Sequence, residues 1–156
     1  MYSQKLWVDG QNVWTSVQGP PDMLQGTEAK KLLIDAVLFN DIKLPSLGYS
    51  LKVLGKQGNE ILMKAEMKDE ESLNRTYYFD EKTYLINKIE SFESVGKGQP
   101  PLPVTIYYRN YSKIDGVLIP DRIESMNPMF NMEVSYNIQV NTELDDSAFS
   151  PPKQGQ

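Results

Sequence analysis

From residue 49 onward the chain alternates apolar and polar side chains with a period of two, the repeat of a strand that buries one face. The clearest stretch is 132–140, where Met132, Val134, Tyr136, Ile138 and Val140 share one face and Glu133, Ser135, Asn137 and Gln139 share the other. Ile61, Met63, Ala65 and Met67 alternate likewise, as do Leu102, Val104, Ile106 and Tyr108, and less strictly Leu73, Tyr77 and Phe79. Breaks fall at Gly55, Gly58-Asn59, Lys68 to Ser72, Asp80 to Thr83, Gly96 to Pro101, Asp115-Gly116 and Asn127-Pro128. Strands so spaced predict a meander of hairpins in which consecutive strands are antiparallel neighbours. Pro120, inside 117–126, predicts an edge or a bulge there, because proline gives a ladder no N–H.

Ahead of the meander, two β-prone runs at 4–8 and 12–18 flank Asp9-Gly10-Gln11 and predict a first hairpin. Trp7 and Trp14 flank its turn, placed for a cross-strand aromatic contact. Gly19-Pro20-Pro21 breaks the second run, and Thr27 is the predicted N-cap of a helix through about Asn40. There Ala29, Leu32, Leu33, Ala36 and Val37 recur at helical spacing, and Ile34, Leu38 and Phe39 widen the stripe. The predicted fold class is mainly β (α+β): a curled antiparallel sheet or incomplete β-barrel with one principal helix on its concave face. A chain of 156 residues predicts a single domain over 1–150, with a disordered tail at 151–156.

Composition then narrows the chemistry. With no histidine and no cysteine, Ser-His-Asp and Cys-His catalysis and zinc-thiolate sites are excluded. A net charge of −5 without a basic block argues against a nucleic-acid partner. The charged cluster Lys68 to Glu71 is mixed in sign and reads as a solvated turn. The aromatic runs Tyr77-Tyr78-Phe79 and Tyr107-Tyr108 read as strand residues with alternate rings facing the core, not as base-stacking platforms. Carboxylate pairs such as Asp145-Asp146, or Asp115 with Asp121, would suit a glycosidase only if they converged in a cleft. No catalytic residue, metal ligand set or cofactor motif emerges. No apolar run reaches the roughly 18 residues of a membrane-spanning helix, and residues 1–20 show no export signal.

Several short segments, in order, carry a family resemblance: Val8-Asp9-Gly10 with Trp14; Tyr78-Phe79-Asp80, Thr83 and Leu85; Tyr111, Ile114-Asp115-Gly116-Val117 and Pro120; then Val140-Asn141, Leu144-Asp145-Asp146, Phe149 and Pro151. Over about residues 6–152 the chain resembles the bacterial outer-membrane lipoprotein-sorting family, with its LolA/LolB-like lipoprotein carrier fold. The resemblance implies an incomplete barrel curled around an apolar cavity that binds acyl chains, in the periplasm or otherwise associated with the cell envelope. Members carry a helix and several strands ahead of the Asp-Gly/Trp hairpin, so the resemblance covers the C-terminal part of that domain.

The function expected is non-catalytic binding or carriage of an apolar ligand, a lipid or lipoprotein acyl chain. Its predicted apolar lining is Trp7, Trp14, Leu33, Val37, Met63, Phe79, Ile106, Val134, Tyr136 and Ile138. The partners expected are a lipid or acylated protein and an envelope protein, with no nucleic acid, no membrane span and no cofactor. The competing expectation is an interaction module that docks a partner protein, or an upstream portion of a larger protein, through sheet edges or an apolar patch.

Overall fold

The computed structural model describes residues 5–17, 19–37, 39–93, 99–140, 143–149 and 151. The tail predicted at 151–156 lies outside the described residues apart from Pro151. Among the described residues strand far outweighs helix and the sheets are antiparallel, so the mainly β, antiparallel expectation holds. The chain divides into two compact units, Met1–Lys43 with Thr142–Gln156, and Leu44–Asn141.

The first unit holds a three-stranded antiparallel sheet of β1 (Lys5–Val8), β2 (Val13–Ser16) and β3 (Asp22–Met23). The predicted hairpin is there, with Trp7 directly opposite Trp14. Its turn is built by Asp9, whose Oδ1 accepts from the backbone N–H of Gln11 at 2.8 Å and of Asn12 at 2.7 Å. Gly10 takes a φ of +90° that suits glycine. The same bonds to the Asn12 and Gln11 amides hold the Asp9 carboxyl below its ordinary pKa.

The helix is shorter than its apolar stripe predicts. Helix α1 runs Gly26–Asp35, and its N-cap is Gln25, which makes no side-chain cap bond, so Thr27 lies inside the first turn. Asn40 explains the early end: its side-chain amide donates to the carbonyl of Ile34 at 3.2 Å, and Phe39 takes a left-handed φ of 55°. Val37 and Phe39 therefore fall outside α1, and the short α2 (Asn40–Lys43) follows. Within this unit α1 packs on β2, and the turn Asp146–Phe149 meets β1.

The second unit is a seven-stranded antiparallel meander: β4 (Tyr49–Gln57), β5 (Glu60–Met67), β6 (Arg75–Asp80), β7 (Ile86–Glu93), β8 (Leu102–Ile114), β9 (Val117–Met126) and β10 (Asn131–Ser135). Each strand pairs with its neighbours in sequence, leaving β4 and β10 at the edges and the sheet unclosed. The described residues thus form two sheets, the meander predicted from residue 49 onward and the predicted first hairpin extended by β3. Among the described residues no helix is long and apolar enough to cross a membrane.

Turn chemistry fixes the register. Between Ile114 and Val117, Asp115 and Gly116 have φ values of 49° and 88°, the left-handed pair that a type I′ hairpin demands. Gly58 opens the β4–β5 turn with φ 62°. Cross-strand partners share a face, so the ladders Met63–Tyr77, Tyr77–Ile89 and Ile89–Ile106 run one apolar row across four strands. Tyr77 at 0% exposure is its centre, with Ala65, Ile89 and Val104 also buried. The opposite face is polar: Tyr78, Lys88, Tyr107 and Glu124 form a matching row.

One strand prediction needs correction. Strand β10 stops at Ser135, so residues 136–140 lie outside it, and Met132, Tyr136 and Val140 are exposed. The last link is the Tyr136 N–H to the Asp121 carbonyl at 2.7 Å. Immediately beyond, Pro120, which has no N–H, stands opposite Tyr111, and Asn110 turns through a left-handed φ of 52°. A straight strand contains no such residue, so the β8–β9 ribbon bends where β10 would have continued. Pro120 accordingly occupies a stretch of β9 beyond its ladder with β10, in keeping with the edge expectation.

Candidate functional site

The apolar face of the large sheet is incompletely covered near the β4–β5 hairpin. There Val53, Ile61, Met63, Phe79 and Tyr84 line an open groove of about 330 Å³. Four of the five are placed by period two: Val53 pairs with Met63 across β4–β5, and Ile61 with Phe79 across β5–β6. A bulge between Val53 and Gly55 interrupts β4 beside the groove; bulges bend the strand that carries them. Phe79 stacks on Tyr77, ring centroids 5.9 Å apart and 15° from parallel, so the groove floor is anchored to the most buried ring of the core.

Tyr84 comes from a turn. Asp80 Oδ1 accepts from the N–H of Thr83 and its hydroxyl, both at 2.8 Å, and from the N–H of Lys82 at 3.1 Å. Those bonds, the Thr83 amide foremost, hold the Asp80 carboxyl below its ordinary pKa. The Tyr84 N–H returns to the Asp80 carbonyl at 2.9 Å with Tyr84 at φ 59°. The turn is fastened to the neighbouring hairpin by Glu81 N–H to Asn59 O at 2.9 Å and by Lys56 Nζ to Glu81 at 2.8 Å. Val53 and Tyr84 are 67% and 69% exposed, so both offer apolar surface to a ligand without holding up the core.

Of the residues predicted to line a ligand site, the groove brings together Met63 and Phe79. Ile106 and Val134 lie on the same face of the sheet, Ile106 in the row of Met63 and Val134 opposite Ile123 at its far side. Tyr136 and Ile138 lie past the end of β10. Trp7, Trp14, Leu33 and Val37 belong to the first unit, each half-buried. The groove also contains Val53, Ile61 and Tyr84. Ile61 belongs to an alternation already legible in the sequence, and Val53 follows Tyr49 and Leu51 at period two; Tyr84 had no signal, because its position depends on a left-handed turn.

The polar face holds a second cluster. Lys88 lies between two tyrosines, 3.8 Å from the Tyr78 ring centroid, and its Nζ is 2.9 Å from Glu90, which also accepts the Tyr78 hydroxyl at 2.8 Å. Burial pushes the Glu90 carboxyl up, but the bonds from Lys88 and Tyr78 outweigh it and hold it below its ordinary value. Burial and the bond to Glu90 push the Tyr78 phenol up. Farther along, Glu124 bridges Arg122 at 2.7 Å and Arg109 at 3.8 Å. These are ion pairs between partly exposed side chains, a kind that contributes little to stability, and Arg122 Nε itself makes no hydrogen bond. Among the described residues no cluster of three or more acidic side chains is placed to hold a metal ion. Comparison of the chain with protein-family models, with curated proteins and with solved structures gives no match.

Proposed function

We propose that this chain binds an apolar ligand, without catalysing a reaction on it, along the groove of Val53, Ile61, Met63, Phe79 and Tyr84. The observation that carries the reading is an open groove whose five lining residues are all apolar or aromatic, anchored on a rigid sheet. Each methylene removed from water contributes about 0.8 kcal/mol. Six enclosed methylenes would therefore give about 5 kcal/mol before ordering costs, a sub-millimolar affinity at best. Binding then depends on chain length, which suits an acyl chain better than a small solute. The resemblance noted in the sequence suggests a lipid or lipoprotein acyl chain of the cell envelope as that ligand.

The test is titration with a fluorescent fatty acid, compared between the parent protein and Val53→Asp. An unpaired carboxylate beside an acyl chain is costly, and Val53 is exposed enough that the fold survives the change. Weakened binding by the variant is the expected result; equal binding by both proteins overturns the groove assignment.

A second reading is favoured by β4. This edge strand is exposed at every residue from Ser50 to Gln57, with Leu51, Val53 and Leu54 among its exposed side chains. An edge of that kind can accept a partner's strand. Lys52, Lys56 and the bulge at Val53/Gly55 are the features that blunt edge pairing, so apolar-ligand binding ranks first.

A further inference from the structure

We infer that β10 is a self-pairing edge: two copies of this chain associate through antiparallel contact of residues 130–138 about a two-fold axis at Val134. The large sheet has two edges, β4 and β10, and they differ in chemistry. Strand β4 carries Lys52, Lys56 and a bulge between Val53 and Gly55, all devices that hinder edge pairing. Strand β10 keeps an unbroken ladder with β9, has neither proline nor lysine, and bears a single charge, Glu133. Its backbone groups are set for a partner. The Tyr136 N–H donates to the Asp121 carbonyl and the Phe130 carbonyl accepts from Asn127, so the even-numbered residues bond toward β9. Alternation along an antiparallel ladder then turns the N–H and C=O of Asn131, Glu133 and Ser135 to the open side.

The side chains complement themselves. Outward from Val134 in both directions stand Glu133 and Ser135, Met132 and Tyr136, Asn131 and Asn137, then Phe130 and Ile138. Polar matches polar and apolar matches apolar at every step. A two-fold axis at Val134 makes each of these a cross-strand pair, since in an isologous contact the same patch serves both copies. The odd-numbered pairs are then the hydrogen-bonded ones, as the open side of β10 requires. Phe130, Met132 and Tyr136, exposed in the single chain, meet apolar partners, and Glu133 faces the partner's Ser135. An axis at Glu133 would instead set that carboxylate against its own copy, which like-charge repulsion disfavours. The segment beyond β10 adds a second observation. It alternates like a strand, yet the β8–β9 ribbon bends away at Asn110 and Pro120, leaving Tyr136 and Val140 exposed. Residues 130–132 of a second copy supply the neighbour that 136–138 lack, and the two sheets join edge to edge.

The experiment is sedimentation velocity on the full chain from low micromolar to near-millimolar protein, with Ser135 as the site of change because its side chain is exposed. The expected result is a reversible shift from monomer to dimer as concentration rises. Ser135→Pro removes an N–H that points away from β9, so it should abolish the dimer while thermal melts show the monomer still folded. Two charge variants report the register without touching the backbone. Ser135→Glu sets a carboxylate opposite the partner's Glu133 twice over and should raise the dissociation constant about threefold or more; Ser135→Lys should lower it by a similar factor. A parent protein that stays monomeric up to millimolar concentration overturns the proposal. So does a dimer that persists in Ser135→Pro, which would put the contact on another surface. Weaker association of Ser135→Lys than of the parent overturns the axis at Val134, and the proposal with it.

Discussion

Single side chains in this protein differ sharply in what they hold up, and burial sorts them. Tyr77 is fully enclosed, stacked on Phe79 and central to the apolar row. Its truncation to alanine should cost about 3–5 kcal/mol, in line with other large aromatic deletions. Val53→Ala, at the exposed edge, should fall within about 0.5 kcal/mol of the parent. Urea denaturation midpoints measure both, and similar losses would show that the sheet's core has been misplaced. Glu90 supplies a pH signature. Its folded pKa lies below the ordinary 4.5, so its contribution is present above that value and is lost as pH falls through the lower folded one. Asp9 and Asp80 act in the same direction. Thermal melts should therefore drop progressively below about pH 4.5, and Glu90→Gln should flatten part of that drop.

At the scale of elements, turns decide more than strand propensity does. Gly116, at φ 88°, closes the β8–β9 hairpin in a conformation that side chains resist, so Gly116→Val should destabilise by about 1 kcal/mol or more. Strand β10 makes a sharper test. Val134 is in the ladder opposite Ile123, whereas Tyr136 is 45% exposed beyond the strand's end. Val134→Asp should lower the melting temperature much more than Tyr136→Asp, and the reverse order would restore a strand running to Val140. The period of two over 132–140 is real as a pattern. A pattern buries nothing, however, once the β8–β9 ribbon bends away at Asn110 and Pro120.

For the molecule as a whole, the seven-stranded sheet presents an apolar groove beside the β4–β5 hairpin. With no histidine and no cysteine, no side chain has an ordinary pKa between pH 6 and 8. Binding of an apolar probe to the groove should accordingly be flat over that range. Its affinity should rise by about fourfold per added methylene until the groove is filled. A fluorescence titration series across chain lengths checks both; a steep pH dependence or no dependence on length would remove the acyl-chain reading.

The sequence by itself determined the meander, its hairpin turns and the identity of its apolar face, because alternation assigns side chains to faces locally and Asp-Gly turns set the register of the strands they join. It also determined what chemistry is absent, since histidine and cysteine cannot be supplied by folding. Tertiary structure alone decided where strands end and what lines the grooves. Asn40 reaching back to Ile34 shortened α1, and the bend at Asn110 shortened β10; each is set by a neighbour's geometry that no repeat records. The left-handed turn after Asp80 brought Tyr84 beside Met63 and Phe79. These are relations between residues distant in the chain, and a linear pattern carries the face on which a side chain lies but not what stops beside it.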